Sequence, residues 1–453
     1  MVRLGAVISI WGMLLVAEHS ILDCRADDWP QWMGPNRDGV WNEAEIVRQF
    51  PAGGPKKLWS AKIGGGYAGP AVAGGKVFVC GYVRRHGDPT NNPALKNTLE
   101  GQEEVYCFDA RTGKELWRYE YDCPYRISYP AGPRCTPTIA DNRVYTLGAM
   151  GNLICFDTNS GKVIWAKDFK KSHNAQVPTW GFAGHPLVYK DFLICLVGGE
   201  NGSLLVAFDR QTGNERWRSL STSTSDGPGY CSPCMIRQAQ QEQLVFWEPR
   251  AVHGLDPDTG KEVWSIPLVP KYGMSIMAPR FYQSLLFAGG IGGDSICIKL
   301  SADLKEARVL WRGNARTAVC PVNVTPIIDE GILYGICQDG ALRAVNLATG
   351  ERLWSTFQPV TGAPQEADYR GSGSGTAFLV KNQENYLLFA ETGHLILARL
   401  SPEKYSEFAR FHLIKPTGEA FGRKVVWSHP AFAERAIFVR NDEEIACFSL
   451  TGE

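Results

Sequence analysis

This 453-residue chain lacks an excess of charge of either sign: 47 lysines and arginines stand against 47 aspartates and glutamates, for a formal net charge of zero. That balance, with 44% hydrophobic residues, argues against a disordered chain, a nucleic-acid-binding basic surface and an acidic tail. Long apolar runs are equally scarce. The stretch from Leu4 to Ala17 falls short of the roughly 18 residues that cross a bilayer. With Arg3 ahead of it and Cys24-Arg25-Ala26 behind, it reads as a secretory signal peptide cleaved near Ala26. Asp23 stands where a lipoprotein signal would have a small residue before its cysteine. No later segment is apolar for long enough to span a membrane, so the expectation is a periplasmic or secreted protein without a transmembrane span. No two cysteines are adjacent, and the single Cys-x-x-Cys, Cys231-Ser-Pro-Cys234, is followed by Met235 and so is no haem attachment motif. Ser-His-Asp order, a Walker loop and a His-Glu-x-x-His helix are all lacking. The glycine pairs Gly198-Gly199 and Gly292-Gly293 sit in turns between strands, not in a dinucleotide-binding loop.

What the chain has in excess is glycine, 48 residues, and tryptophan, 14, a pairing that favours tight turns between short aromatic-bearing strands. Asp109-Ala-Arg-Thr-Gly113-Lys-Glu-Leu-Trp117 recurs with the same spacing as Asp157 to Trp165, Asp209 to Trp217, Asp256 to Trp264 and, with Asn in first place, Asn346 to Trp354. Each copy follows an alternating apolar stretch, so the Asp caps a hairpin turn through backbone amides while the Gly takes the positive φ. Upstream lies a second pattern, Pro, apolar residues, a turn and another apolar run, as in Pro137 to Leu147 and Pro326 to Ile336. Each unit therefore holds four short strands, and units of roughly 40 to 50 residues with four strands apiece predict a β-propeller.

Counting outer strands by Trp59, Trp117, Trp165, Trp217, Trp264, Trp311, Trp354 and Phe408 gives eight blades. The first outer strand is orphaned, whereas the C-terminus supplies three inner strands near Val425 to Phe432, Arg435 to Arg440 and Glu444 to Leu450 with no outer partner. Joining the two predicts an all-β, eight-bladed propeller of four-stranded antiparallel blades, its ring closed by an N-terminal outer strand. The division is a signal peptide at 1–26, an N-terminal extension packing on the propeller at 27–56, and the propeller at 57–453. A monomer is expected.

The repeat, together with Asp28-Trp-Pro-Gln-Trp-Met-Gly-Pro-Asn-Arg-Asp-Gly39, resembles the pyrroloquinoline-quinone-like β-propeller repeat proteins of bacteria. That superfamily includes quinoprotein alcohol dehydrogenases and the outer-membrane assembly lipoprotein BamB, both eight-bladed. The resemblance implies either a non-catalytic binding or scaffold propeller of the cell envelope with a protein partner and no cofactor, or a PQQ-dependent dehydrogenase of alcohols or sugars with Ca²⁺. The dehydrogenases stack their quinone beneath a disulfide of adjacent cysteines, a pair this chain lacks, and the envelope-scaffold reading is the one adopted. In the dehydrogenase reading Asp294, Asp339, Glu200 and Arg134 would serve the quinone and its cation.

Loops joining each outer strand to the next inner strand share a face with the loops between second and third strands. On that face the expected ligand-binding residues are Arg134, Trp180, His185, Tyr230, Arg316, Arg370, Arg423, Trp427 and His429, with Glu200, Asp294, Asp339 and Glu391 on the inter-strand loops. His185-Pro186 and His429-Pro430 hold matching repeat positions and read as structural histidines rather than metal ligands. Among the cysteines, Cys107, Cys155 and Cys447 fill equivalent core positions in different blades, too far apart to bridge. Cys123 and Cys135 are the best disulfide candidates, and Cys231 with Cys234 supplies only half of a zinc site.

Overall fold

The computed structural model describes residues 28–93, 95–223, 225–365, 369 and 371–452. The expected signal peptide and cleavage point lie outside the described residues, as does Arg370. Apart from two short helices, Phe169–His173 and Gln358–Thr361, and one 3-10 turn, the regular structure is β.

Eight sheets follow one another, each with four antiparallel strands, which in the first seven are consecutive in the chain. The first contains Ala71–Ala73, Lys76–Gly87, Asn97–Asp109 and Glu115–Asp122, with Tyr125–Ile127 added beside the third strand. The second to seventh sheets begin at Thr138, Leu187, Cys234, Arg280, Ile327 and Ala377. The eighth consists of Ala431–Ala433, Ala436–Arg440 and Glu444–Ser449, and its outer strand is Lys57–Lys62, with Trp59 opposite Cys447 and Lys62 opposite Glu444. Val425, expected at the start of that sheet's inner strand, instead belongs to a separate hairpin of Gly418–Ala420 and Arg423–Val425. Five residues separate that hairpin's end from the inner strand, enough to place Trp427 and His429 in a connection.

The recurring turn works as its chemistry predicts. Asp109 Oδ1 accepts from the Thr112 amide at 2.8 Å and from its hydroxyl at 2.7 Å, and Gly113 follows at φ 71°. Asp157 and Asp209 repeat the pattern with Ser160 and Thr212. In four repeats the tryptophan reaches the next repeat's turn: Trp117 Nε1 donates to Thr158 O, Trp165 to Arg210 O, Trp311 to Leu347 O and Trp354 to Ser401 O, whereas Trp264 Nε1 donates to Gln243 Oε1 of its own sheet. Between the eighth and first sheets Trp59 donates to Ala110 O, and Arg440, fully buried, donates to Cys80 O and Gly64 O.

Residues 29 to 47 touch the sheets in order. Trp29 exchanges backbone hydrogen bonds with Val72 of the first sheet, and Pro30 O accepts from Ile139 of the second. Arg37 donates to Pro186 O and Pro233 O, just ahead of the third and fourth sheets' inner strands, and Arg280 of the fifth donates to Arg37 O and Asp38 O. Gly39 lies against Ile327 of the sixth, Trp41 pairs with Lys381 of the seventh, and Val47 N donates to Leu450 O beyond the eighth. Trp29, Met33 and Trp41 are buried. The segment supplies donors to backbone carbonyls at the inner strands that would otherwise need others.

The twelve described cysteines are all free and buried. Cys123 and Cys135 do not bridge: the first thiol faces Asn152 Oδ1, and the second faces the carbonyls of Phe182 and Gly184. They sit on opposite sides of the inserted Tyr125–Ile127 strand, a feature that chain spacing does not reveal.

Candidate functional site

A cavity of about 680 Å³ opens where the inter-sheet connections converge. Six of the sequence-expected residues line it: Arg134, Trp180, His185, Tyr230, Trp427 and His429. They come from four different connections, each ending just before an inner strand, so the repeat itself aims them inward. The other expected residues lie elsewhere. Glu200, Asp294 and Arg316 are exposed, and Asp339 is tied to Arg343 at 2.7 Å. Glu391 is buried and accepts from Arg423 Nε at 2.7 Å, Trp427 Nε1 at 2.8 Å and the Thr376 amide at 3.0 Å, which makes Arg423 and Glu391 a brace for Trp427.

The floor is built from the N-terminal segment. Trp32 stacks on His185 with ring centroids 4.7 Å apart and planes 10° from parallel, and Trp29 stacks on His429 at 6.4 Å. His185 Nδ1 accepts from the Thr136 amide at 3.0 Å, which leaves the proton on Nε2. His429 Nδ1 donates to Pro430 O at 2.8 Å. Burial holds both imidazoles neutral: His429 is pushed down to about 4, and His185 well below the ordinary histidine value by burial and then by Arg37. Each ring has a hydrogen-bond partner at Nδ1, and both reach one cavity.

The walls are aromatic. Trp180 meets Tyr230 edge-on at 5.6 Å, and Trp427 lies between Tyr129 at 6.0 Å and Phe421 at 6.4 Å. Arg134 covers the Tyr67 ring at 5.2 Å and donates to the carbonyls of Gly132, Ser128 and Tyr129. At the mouth, Tyr272 is 70% exposed and Phe421 55%. Sequence reasoning missed Trp32, Tyr67, Tyr129, Tyr272 and Phe421. The last four sit in connections whose length was legible but whose path was not. Trp32 belongs to a segment that only the folded ring brings beneath the channel.

Behind one wall, Glu103 is buried and accepts from the hydroxyls of Tyr121 and Tyr125 and from the Ala149 amide at 2.8 Å. Burial raises its carboxyl above the ordinary value against those three donors. The cluster pins the long Lys76–Gly87 and Asn97–Asp109 hairpin, whose tip brings Pro93 to the cavity.

A search of curated proteins finds no match to this sequence. Among solved structures, BamB from Moraxella catarrhalis superposes with a TM-score of 0.56 at 14% identity, covering 88% of this chain and 98% of that one. The quinohemoprotein alcohol dehydrogenase from Comamonas testosteroni gives 0.60 at 13% identity, covering 94% and 81%. At such identities both likenesses speak for the propeller fold alone. The sequence itself matches one protein family over residues 101–356 and 236–398, more than half of its length, and on that match the chain belongs to the family described as outer membrane protein assembly factor BamB.

Proposed function

We propose that this protein is a non-catalytic binding or assembly propeller of the cell envelope, exported and monomeric, which engages a protein partner through the aromatic cavity and its rim. The observation that carries the reading is the lining, which among the described residues has aromatic walls, two neutral histidines, one arginine and no carboxylate. Such a surface binds by stacking and shape. It offers no nucleophile with an adjacent base, and no carboxylate to take up a substrate proton.

A quinone with a hard cation needs a different donor set, namely carboxylate and amide oxygens around the metal and an acid or base beside the ring. Here Glu391 is spent on Arg423 and Trp427, Asp339 on Arg343, and Glu200 and Asp294 face solvent. Among the described residues no three His, Cys, Asp or Glu side chains converge as a metal site. The residues present do not fit that group.

The test is photo-crosslinking in the living envelope from positions 272 and 421, with position 310 on an outer strand as control. Adducts to a defined partner from the two rim positions alone support the reading. Equal adducts from position 310, or stoichiometric binding of added PQQ with Ca²⁺ and alcohol-dependent dye reduction, overturn it.

A further inference from the structure

Three guanidinium groups, Arg37 buried and Arg134 and Arg280 half-buried, lie beside and beneath the cavity, and among the described residues no carboxylate accepts a hydrogen bond from any of them. Arg134, in the wall, bonds to the carbonyls of Gly132, Ser128 and Tyr129. Arg37, under the floor, donates to Gln31 Oε1 and to the carbonyls of Pro233, His185 and Pro186. Arg280 donates to the carbonyls of Arg37 and Asp38, and its Nε is buried without a partner. Glu103 acts on Arg134, and Asp38 on Arg280, only through space. Carbonyl dipoles solvate a guanidinium without cancelling its charge, so Arg134 keeps a positive charge in the cavity wall.

Donors wait in the same place. Thr136 is 2% exposed, and among the described residues neither its hydroxyl nor the buried Tyr67 hydroxyl has a hydrogen-bond partner; both residues line the cavity. With Nδ1 accepting from Thr136, His185 presents an N–H at Nε2. Aromatic walls alone would equally suit a cation. The guanidinium lying on the Tyr67 ring at 5.2 Å decides against one.

We propose that the cavity receives an acidic peptide segment of the partner, an aspartate or glutamate side chain next to a phenyl or indole ring. The carboxylate is drawn to Arg134 and the unpaired hydroxyls, and the ring stacks among Trp180, Tyr230, Tyr129 and Trp427. This rests on the binding reading above and gives its partner a chemistry. The cavity's 680 Å³ suits a pair of side chains and is far more than a lone ion needs.

The test uses the folded protein and three capped five-residue peptides, a central phenylalanine flanked by two aspartates, two asparagines or two lysines, with free phenylacetate as a fourth probe, followed by calorimetry. The expected result is binding of the aspartate peptide at least about tenfold tighter than its asparagine counterpart, weakening as sodium chloride is raised, with the lysine peptide weakest. R134Q is expected to remove the preference for the aspartate over the asparagine peptide, with near-UV circular dichroism reporting its fold. If that variant does not fold, the salt dependence in the unaltered protein decides. Equal binding of the lysine peptide, a salt-independent aspartate peptide, or no aspartate-peptide binding overturns the proposal. Phenylacetate binding as tightly as the peptide overturns the peptide and leaves a small carboxylate. Peptide failure with rim crosslinks intact sinks this proposal alone, whereas loss of the crosslinks sinks the binding reading.

Discussion

The indole of Trp117 lies over Gly161, where an added Cβ would come within 2.6 Å of the ring, and its Nε1 donates to Thr158 O in the same turn at 3.0 Å. Trp59 makes the same pair with Gly113, Trp165 with Gly213, Trp217 with Gly260 and Trp311 with Gly350. One motif thus serves two sheets, its tryptophan reaching forward and its glycine receiving the tryptophan from behind.

That relationship predicts that G161A is costly twice over, through φ +68° and through the indole. The expected loss is about 2 to 3 kcal/mol by urea unfolding. G74A, at φ +58° with nothing within 4 Å of the new methyl, is expected to cost about 1 kcal/mol. Equal losses would refute the stacking account.

Replacing Arg37 by Met leaves the carbonyls of Pro186 and Pro233 without this donor and frees the N-terminal segment from the third and fourth sheets. The expected destabilisation is about 3 kcal/mol or more, read from chemical melts. Because Trp32 floors the cavity, tryptophan fluorescence should change with it.

His429 should titrate near 4 by NMR, since burial disfavours its charged form. An unfolded histidine binds its proton near 6.5. Its contribution to stability is therefore complete above about 6.5 and is lost as the pH falls toward 4. H429F keeps a ring against Trp29 and Phe378 and is expected to flatten that slope.

Asp109 and Asp157 are held below the ordinary carboxylate value by the hydroxyls of Thr112 and Ser160, and then by the same residues' amides. The stability they add is present above about 3.9, the unfolded value, and disappears as the pH falls through the lower folded value. The double variant D109N/D157N is expected to lose less stability than the parent between pH 5 and pH 2, whereas matching acid profiles would show that the caps carry no linkage.

Tyr272 and Phe421 are exposed at the mouth, so Y272S and F421S should leave thermal stability within about 0.5 kcal/mol of the parent. Partner capture should drop with both. Undiminished capture would move the docking surface away from the cavity.

The repeat carried most of this fold openly. Asp, Gly and Trp at fixed spacing encode local interactions, a capped turn and a strand, so periodicity alone located the sheets and foretold that the Trp59 strand joins the last three. The connections were legible only as intervals: they placed Arg134, Trp180, His185, Tyr230, Trp427 and His429 on one face, because every interval ends at an inner strand. They did not show that Asp339 closes on Arg343, or that Glu391 braces Trp427 through Arg423, since those partners are chosen by side-chain reach across loops. Nor did they show residues 29 to 47 circling under the cavity. That path exists because inner-strand carbonyls from different sheets converge only when the chain is folded, and Arg37 then meets acceptors about 150 and 200 residues away. Local hydrogen bonding is written in sequence, while burial of a charge beside a distant cavity is decided by tertiary packing.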